Sequence, residues 1–278
     1  MSAFRMPTYF ISHGGGPWPY MPTLRQALHK LEVSLVDIVR QIGGKPKAVL
    51  VLTGHWEAPT FQVSSGERPG MIYDYSGFPA HTYDVVYPAP GAPALAQRVA
   101  DLAQAAGIDL AQDPRRGFDH GTFTPLAVMF PDADVPVVQV SLKIGYDPAE
   151  HWALGRALAP LRDEGVLILG SGLSYHNLRQ FGPSAAPASG MFDSWLQHAL
   201  VDAPIADREA AIMQWDRALA ARQAHPREDH LMPLMVALGA AEEEKAVRVY
   251  HDEALFGGVT ASSWRFGETA AVDLQRTV

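Results

Sequence analysis

Ala48-Val49-Leu50-Val51-Leu52-Thr53 is an unbroken run of aliphatic and β-branched residues that stops at Gly54-His55-Trp56-Glu57. A strand with one wet face alternates apolar and polar residues, whereas a run without alternation is what burial on both faces requires. Val166-Leu167-Ile168-Leu169-Gly170 has the same character, as does the stretch 135–141, and a shorter run at 8–12 ends at His13. Patterns of helical period lie between them. Residues 24–42 place Leu28, Leu31, Leu35, Ile38 and Ile42 on one helix face. Residues 93–106 are alanine-rich, and residues 148–164 open with Asp147 as a cap and Pro148 in the first turn. Further helices are expected at 191–201, 205–215 and 228–238, and closing strands at 246–250 and 259–266. This alternation predicts an α/β fold: one domain over residues 1–278, with a central, mainly parallel sheet flanked by helices on both faces. Residues 66–90, rich in Gly, Pro and Tyr, read as a long ordered loop whose Asp74-Tyr75-Ser76-Gly77-Phe78-Pro79 can form a pocket wall. The small residues of 183–189 read as the most mobile loop.

Bulk composition narrows the function classes. The chain has 278 residues, 47% hydrophobic and 19% charged, with 22 basic against 30 acidic side chains and a formal charge of −8. That balance offers no electrostatic footprint for nucleic acid or an anionic membrane. The absence of cysteine rules out disulfides, thiolate metal sites and a cysteine nucleophile, and fits a reducing compartment. Residues 1–10 show no signal-peptide pattern, and no stretch is apolar over the roughly 20 residues a membrane span takes. A cytoplasmic protein is expected. No coiled-coil pattern bears on oligomeric state.

In open α/β sheets, ligands bind beyond the carboxyl ends of the strands. Three histidine segments fall at such ends: Ser12-His13-Gly14-Gly15-Gly16, Gly54-His55-Trp56, and Ser171-Gly172-Leu173-Ser174-Tyr175-His176-Asn177. A fourth, Asp229-His230, starts a predicted helix. Neutral imidazole suits Fe(II) or Zn(II), and a catalytic site keeps coordination positions open, so three protein ligands are expected. His13, His55 and His230 are the chosen trio. Taken singly, each also reads as an ordinary residue: a turn histidine, a buried histidine bonded to a carbonyl, and a first-turn helix residue. His176 is the acid–base candidate, since histidine titrates near neutrality; the competing reading makes it a fourth metal ligand. His120 is a hydrogen-bond donor to oxygen or substrate, or else a helix cap. His29, His151, His198, His225 and His251 read as surface residues, and Glu242–Lys245 as a solvated turn. Tyr75, Phe78, Tyr175 and Arg179 are candidates for the substrate pocket. There is no Gly-x-Ser-x-Gly elbow, Walker loop or His-Glu-x-x-His pair.

Taken in order, Ser12-His13-Gly14, Gly54-His55-Trp56, Gly117-Phe118-Asp119-His120-Gly121, Ser171-Gly172-x-x-x-His176-Asn177 and Asp229-His230-Leu231-x-Pro233 resemble the class III extradiol ring-cleavage dioxygenases. The similarity is to their DOPA 4,5-dioxygenase-type branch and runs from His13 to about Ala240. It implies a non-haem metal centre and dioxygen insertion beside the hydroxyls of a small-molecule catechol. Carried over by position, His13, His55 and His230 would bind the metal, His176 would be the acid–base residue, and His120 would contact oxygen or substrate. Where protocatechuate-type members use a carboxylate as third ligand, this chain offers His230. That leaves Fe(II) for ring cleavage and Zn(II) as a plausible bound metal. Two other classes stay open: a metal-binding, non-enzymatic interaction protein like the Memo family, and a zinc-dependent hydrolase with Glu57 or Asp119 as base.

Overall fold

The computed structural model describes residues 4–270. Its strands are β1 (Thr8–Ser12), β2 (Ala48–Ala58), β3 (Phe61–Ser64), β4 (Leu110–Asp113), β5 (Val137–Lys143), β6 (Val166–Gly172), β7 (Ala246–Leu255) and β8 (Val259–Phe266). They form one sheet in the order β4-β3-β5-β2-β6-β1-β8-β7. The central quartet β5-β2-β6-β1 is wholly parallel. The β3–β4 pair is parallel within itself but meets β5 antiparallel, and β8 and β7 close the other edge antiparallel.

The apolar run of β2 is explained by where its side chains go. Val49 and Val51 join one core with Leu167 and Leu169, whereas Leu50 and Leu52 join a second core with Val138, Val140 and Ile168. Helices cover both faces. Those described are α1 (Pro22–Ala27), α2 (His29–Gln41), α3 (Pro93–Ala105), α4 (His120–Met129), α5 (Pro148–Leu158), α6 (Pro160–Asp163), α7 (Ala186–Gln197), α8 (Ile205–Met213), α9 (Ala221–Ala224) and α10 (Met232–Ala241). Leu31, Leu35 and Ile38 of α2 and Phe123 and Leu126 of α4 pack into the first core. Val99 of α3 and Leu154 and Leu158 of α5 pack into the second. Every residue of α10 is buried. It lies against α5, β6 and β1.

Several local expectations shift for identifiable reasons. The helix expected over 148–164 ends at Leu158 because Pro160 lacks an N–H and its ring clashes with the preceding turn, so a new short helix starts there. The helix expected from 228 begins only at Met232, since Pro233 is tolerated in a first turn and not further in. Residues 24–42 divide at Leu28, which leaves helical geometry (φ −99°, ψ 21°). The stretch 183–189 is ordered: a 3₁₀ turn (Gly182–Ala185) runs into α7, with Ala185, Ala188 and Ser189 buried. Its small residues serve close packing, and Ser189 Oγ accepts from Thr260 N–H of β8 at 2.9 Å. The turn at 242–245 is only partly solvated, because Glu244 pairs with the buried Arg162.

His151 and His225, expected at the surface, are fully buried. His151 Nδ1 donates to the Asp147 carbonyl at 2.8 Å, and its Nε2 accepts from Lys143 N–H at 3.2 Å. His225 Nε2 donates to the Ser174 carbonyl at 3.0 Å, with Phe192 and Trp215 edge-on to its ring. Burial pushes His225 down to about 3. The unfolded chain, titrating near 6.5, therefore takes up this proton first as pH falls. Stability from His225 is complete above that value and drains away toward pH 3, by about 2 kcal/mol between pH 6.5 and 5. Urea unfolding at those two pH values checks this: His225→Gln, which keeps a donor but cannot titrate, should lose less stability than wild type by that amount. Equal losses would show that His225 does not carry the acid sensitivity.

Candidate metal centre

β2, β6 and β1 are neighbours in the sheet, so their carboxyl ends open onto one place. β2 pairs with β6 as far as Thr53–Ser171, and β1 with β6 as far as Ser12–Gly172. His13 follows directly and is tied down by its N–H to the Gly172 carbonyl at 3.1 Å. Its own carbonyl accepts from Trp18 Nε1 at 2.8 Å. His55 lies where β2 slips register against β5 between Leu52 and Glu57. His230 sits in the turn before α10, and its carbonyl accepts from Leu173 N–H at 3.2 Å, which locks that turn onto the end of β6. His120 is the first residue of α4, whose N-cap is Asp119 with its side chain accepting from Thr122 N–H. Gly121 lets α4 come this close: a Cβ there would lie 2.4 Å from Thr53 Oγ1 and 2.8 Å from the His55 ring.

The result is a convergence of nitrogens. His55 Nε2 lies 3.3 Å from His13 Nε2 and 3.1 Å from His230 Nε2. All three side chains offer an atom within 4.8 Å of the others. Neutral imidazoles pointing lone pairs at one another repel unless a proton or a cation lies between them. A metal about 2.0–2.1 Å from each nitrogen sets nitrogens roughly 2.8–3.4 Å apart for octahedral to tetrahedral angles. The observed spacings fall inside that range, so the trio fits a divalent metal.

The carboxylates lie on the other side of the rings. Asp74 Oδ2 is 3.1 Å from His55 Nδ1, and Asp74 Oδ1 accepts from both His120 Nδ1 (2.8 Å) and His120 N–H (3.0 Å). Asp229 Oδ2 is 3.2 Å from His230 Nδ1. A carboxylate on Nδ1 fixes the tautomer that presents Nε2 to a metal and raises its basicity. His13 Nδ1 and His230 Nδ1 are both buried without a hydrogen-bond partner among the described residues, so Asp229 lies close to His230 Nδ1 without bonding it. Asp74 was only a pocket-wall candidate in the sequence; no spacing marks a loop aspartate as the support of two histidines. Asp74→Asn should weaken metal affinity about 10- to 100-fold, measured by competition with a chromogenic chelator. Unchanged affinity would remove Asp74 from this role.

Charge follows the geometry. Burial, reinforced by the neighbouring histidines, holds His13 and His230 well below the usual histidine range. Burial and the His55 charge also lower His120. Burial opposes protonation of His55, but its bond to Asp74 and the charges of Asp119, Asp74 and Asp229 outweigh that and raise it. Burial would raise Asp74, yet its bonds to His120 and His55 hold it far below the carboxylate range. His176 stacks on the His230 ring, centroids 3.3 Å apart and 17° from parallel, with Asp229 Oδ1 3.8 Å from its Nδ1. Burial lowers His176 to about 4, against the opposing charge of Asp229. It is therefore neutral near pH 7.

A cavity of about 620 Å³ opens over this cluster. His13, His55, His120, His176 and His230 all line it, together with Tyr75 and Phe78. Tyr175 and Arg179 do not. Tyr175 is buried and its hydroxyl donates to the Gln180 carbonyl at 2.7 Å. Arg179 is exposed on a turn held by its N–H to Asn177 Oδ1. Asn177 Nδ2 donates to the Gln223 carbonyl and makes no bond to His176. Leu24, Leu173, Leu178, Phe181 and Phe256 complete the apolar lining; they come from three segments and carry no local signal. Arg116, near the site, is engaged with Asp119 at 2.6 Å and lies over Trp56.

Comparison with known proteins places this geometry. The family model described as the catalytic LigB subunit of aromatic ring-opening dioxygenase matches residues 7–267. The chain belongs to the LigB family. It is accordingly an aromatic ring-opening dioxygenase, an oxidoreductase of a family that uses a non-haem metal. LigB-type relatives cover it almost end to end. A 4,5-DOPA dioxygenase extradiol of Beta vulgaris is 38% identical over 94% of this chain and 97% of its own length. One of the same name from Escherichia coli K12 is 32% identical over 96% and 97%. Dioxygenase tasH of Hapsidospora irregularis is 36% identical over 93% and 85%. A crystal structure of an uncharacterized E. coli K12 protein superposes with a TM-score of 0.71 at 30% identity, over 95% of this chain and all of that one. No helix among the described residues is long and apolar enough to cross a membrane.

Proposed function

We propose that this chain opens the ring of a catechol with O₂, beside its two hydroxyls, at a single non-haem Fe(II) held by His13, His55 and His230. Zn(II) would suit the same three nitrogens without supplying redox chemistry. The observation that carries the reading is the convergence of three Nε2 atoms at 3.1 and 3.3 Å, with a neutral fourth histidine stacked beside them. When bound, the metal supplies a Lewis acid for the catechol oxygens and a centre for electron transfer to O₂. The protein's part is proton handling and positioning.

His176 is neutral and faces the cavity, so it takes the phenolic proton as the catechol binds and returns it as the ring opens. His120, with Nδ1–H held by Asp74, has Nε2 left for substrate. Its titration is lowered by burial, so it is neutral near pH 7 and Nε2 accepts from a substrate hydroxyl, orienting that oxygen. Both atoms of O₂ end in the product: one hydroxyl-bearing carbon becomes a carboxylate and its ring neighbour an aldehyde. The apolar upper wall excludes water while this happens.

A zinc hydrolase is disfavoured by its missing base. Glu57 is tied to Arg227 at the surface, and Asp119 is spent on the α4 cap and Arg116. Loading protein purified under nitrogen with Fe(II), then mixing it with catechols in air, tests the reading. A yellow ring-opened product should form with one O₂ consumed per product, and the zinc-loaded protein should form none. No product from any catechol, or equal turnover with zinc, would overturn it.

A further inference from the structure

The cavity has two unlike halves. Its floor is the histidine cluster with Asp74 and Asp229, and its upper wall is Leu24, Phe78, Leu173, Leu178, Phe181 and Phe256. At about 620 Å³ it lies within the roughly 300–1,000 Å³ of pockets that hold drug-sized ligands. A bare catechol leaves much of that space empty, so a ring substituent must reach the upper wall.

That wall is built, not incidental. Phe78 comes from the loop after β3 and Phe256 from the β7–β8 turn, and they approach the turn after β1 from different segments. Gly16, at φ +52°, permits this: a Cβ there would lie 2.5 Å from the Phe78 ring, and one at Gly15 would lie 3.1 Å from Phe256. Phe181 meets Phe256 edge-on at 5.6 Å, and Phe78 meets Tyr75 edge-on at 5.5 Å. Leu178 is 71% exposed at the rim, an apolar side chain kept where solvent would favour a polar one.

Among the described residues, no Lys or Arg lines the cavity. Arg25, beside Leu24, is bonded to Glu32 at 2.9 Å. The charged side chains that do line it besides histidine are two carboxylates. An anionic substituent would exchange water for phenyl rings and like charges, with no Lys or Arg in the lining to pair with it.

Resting on the ring-opening reading, we propose that this site takes catechols whose ring substituent is uncharged and apolar, an alkyl or aryl group, in preference to catechols bearing a carboxylate. Phe78, Phe181 and Phe256 set that preference.

Calorimetry on the zinc-loaded protein tests it without turnover. 4-Methylcatechol and 4-phenylcatechol should bind at least about tenfold tighter than 3,4-dihydroxyphenylacetate and 3,4-dihydroxyphenylpropionate. The iron-loaded enzyme should rank them in the same order by kcat/KM. Leu178→Lys, at an exposed position that folding does not depend on, should narrow the gap by raising affinity for 3,4-dihydroxyphenylacetate. Equal or tighter binding of the carboxylated catechols by the unmodified protein overturns the proposal, and so does failure to bind any catechol. Selective binding of apolar catechols without ring opening by the iron form would instead overturn the catechol-cleaving reading and leave this preference standing.

Discussion

His176→Ala is expected to cut the ring-opening rate at saturating catechol by about 10²- to 10⁴-fold while metal content stays near that of wild type. The reason is positional. His176 lines the cavity, is held neutral by burial, and lies against the face of His230, outside the trio whose Nε2 atoms converge. Removing the ring also removes that stacking, so His176→Phe is the sharper variant: it keeps an aromatic face on His230 but has no nitrogen to carry a proton. Both variants should be slow and metal-replete. Loss of metal in step with activity in His176→Phe would move His176 into the ligand set. A rate within a few-fold of wild type would end its acid–base role.

His230→Ala is expected to abolish activity by a different route. Its Nε2 is 3.1 Å from His55 Nε2, and its backbone carbonyl ties the turn to Leu173. The substitution leaves that carbonyl in place and removes one of three donors, so metal affinity should fall by more than the about 100-fold that loss of a supporting hydrogen bond can cost. Metal analysis after dialysis against a weak chelator should find the variant nearly empty, with its circular dichroism unchanged. Retention of a full complement of metal would show that the ion is held elsewhere.

These two outcomes separate residues that look alike in the sequence. His13, His55 and the loop after β6 were legible because strands buried on both faces write themselves as continuous apolar runs, and the residues just past such runs are where an α/β sheet gathers its chemistry. β3 and β4, four residues each, are too short to show a period. Asp74 was unreadable in its role, since its position depends on how a long loop folds back over α4. Tyr175 was misleading for a simple reason: it precedes His176, but its side chain is buried and bonded to the Gln180 carbonyl while His176 faces the cavity. His151 and His225 were read as surface residues because a buried neutral histidine bonded to backbone groups leaves no mark on its neighbours.

Anomalous diffraction at the metal edge, from crystals of the iron-loaded protein, tests the centre of this account most directly. Besides the trio, His55-Asp74-His120 and His176-Asp229-His230 also bring three possible donors together. The predicted result is a single peak about 2 Å from Nε2 of His13, His55 and His230, with Asp74 and Asp229 remaining on the Nδ1 side of their histidines. A peak bound by Asp74 and His120, or by His176 and Asp229, would contradict it.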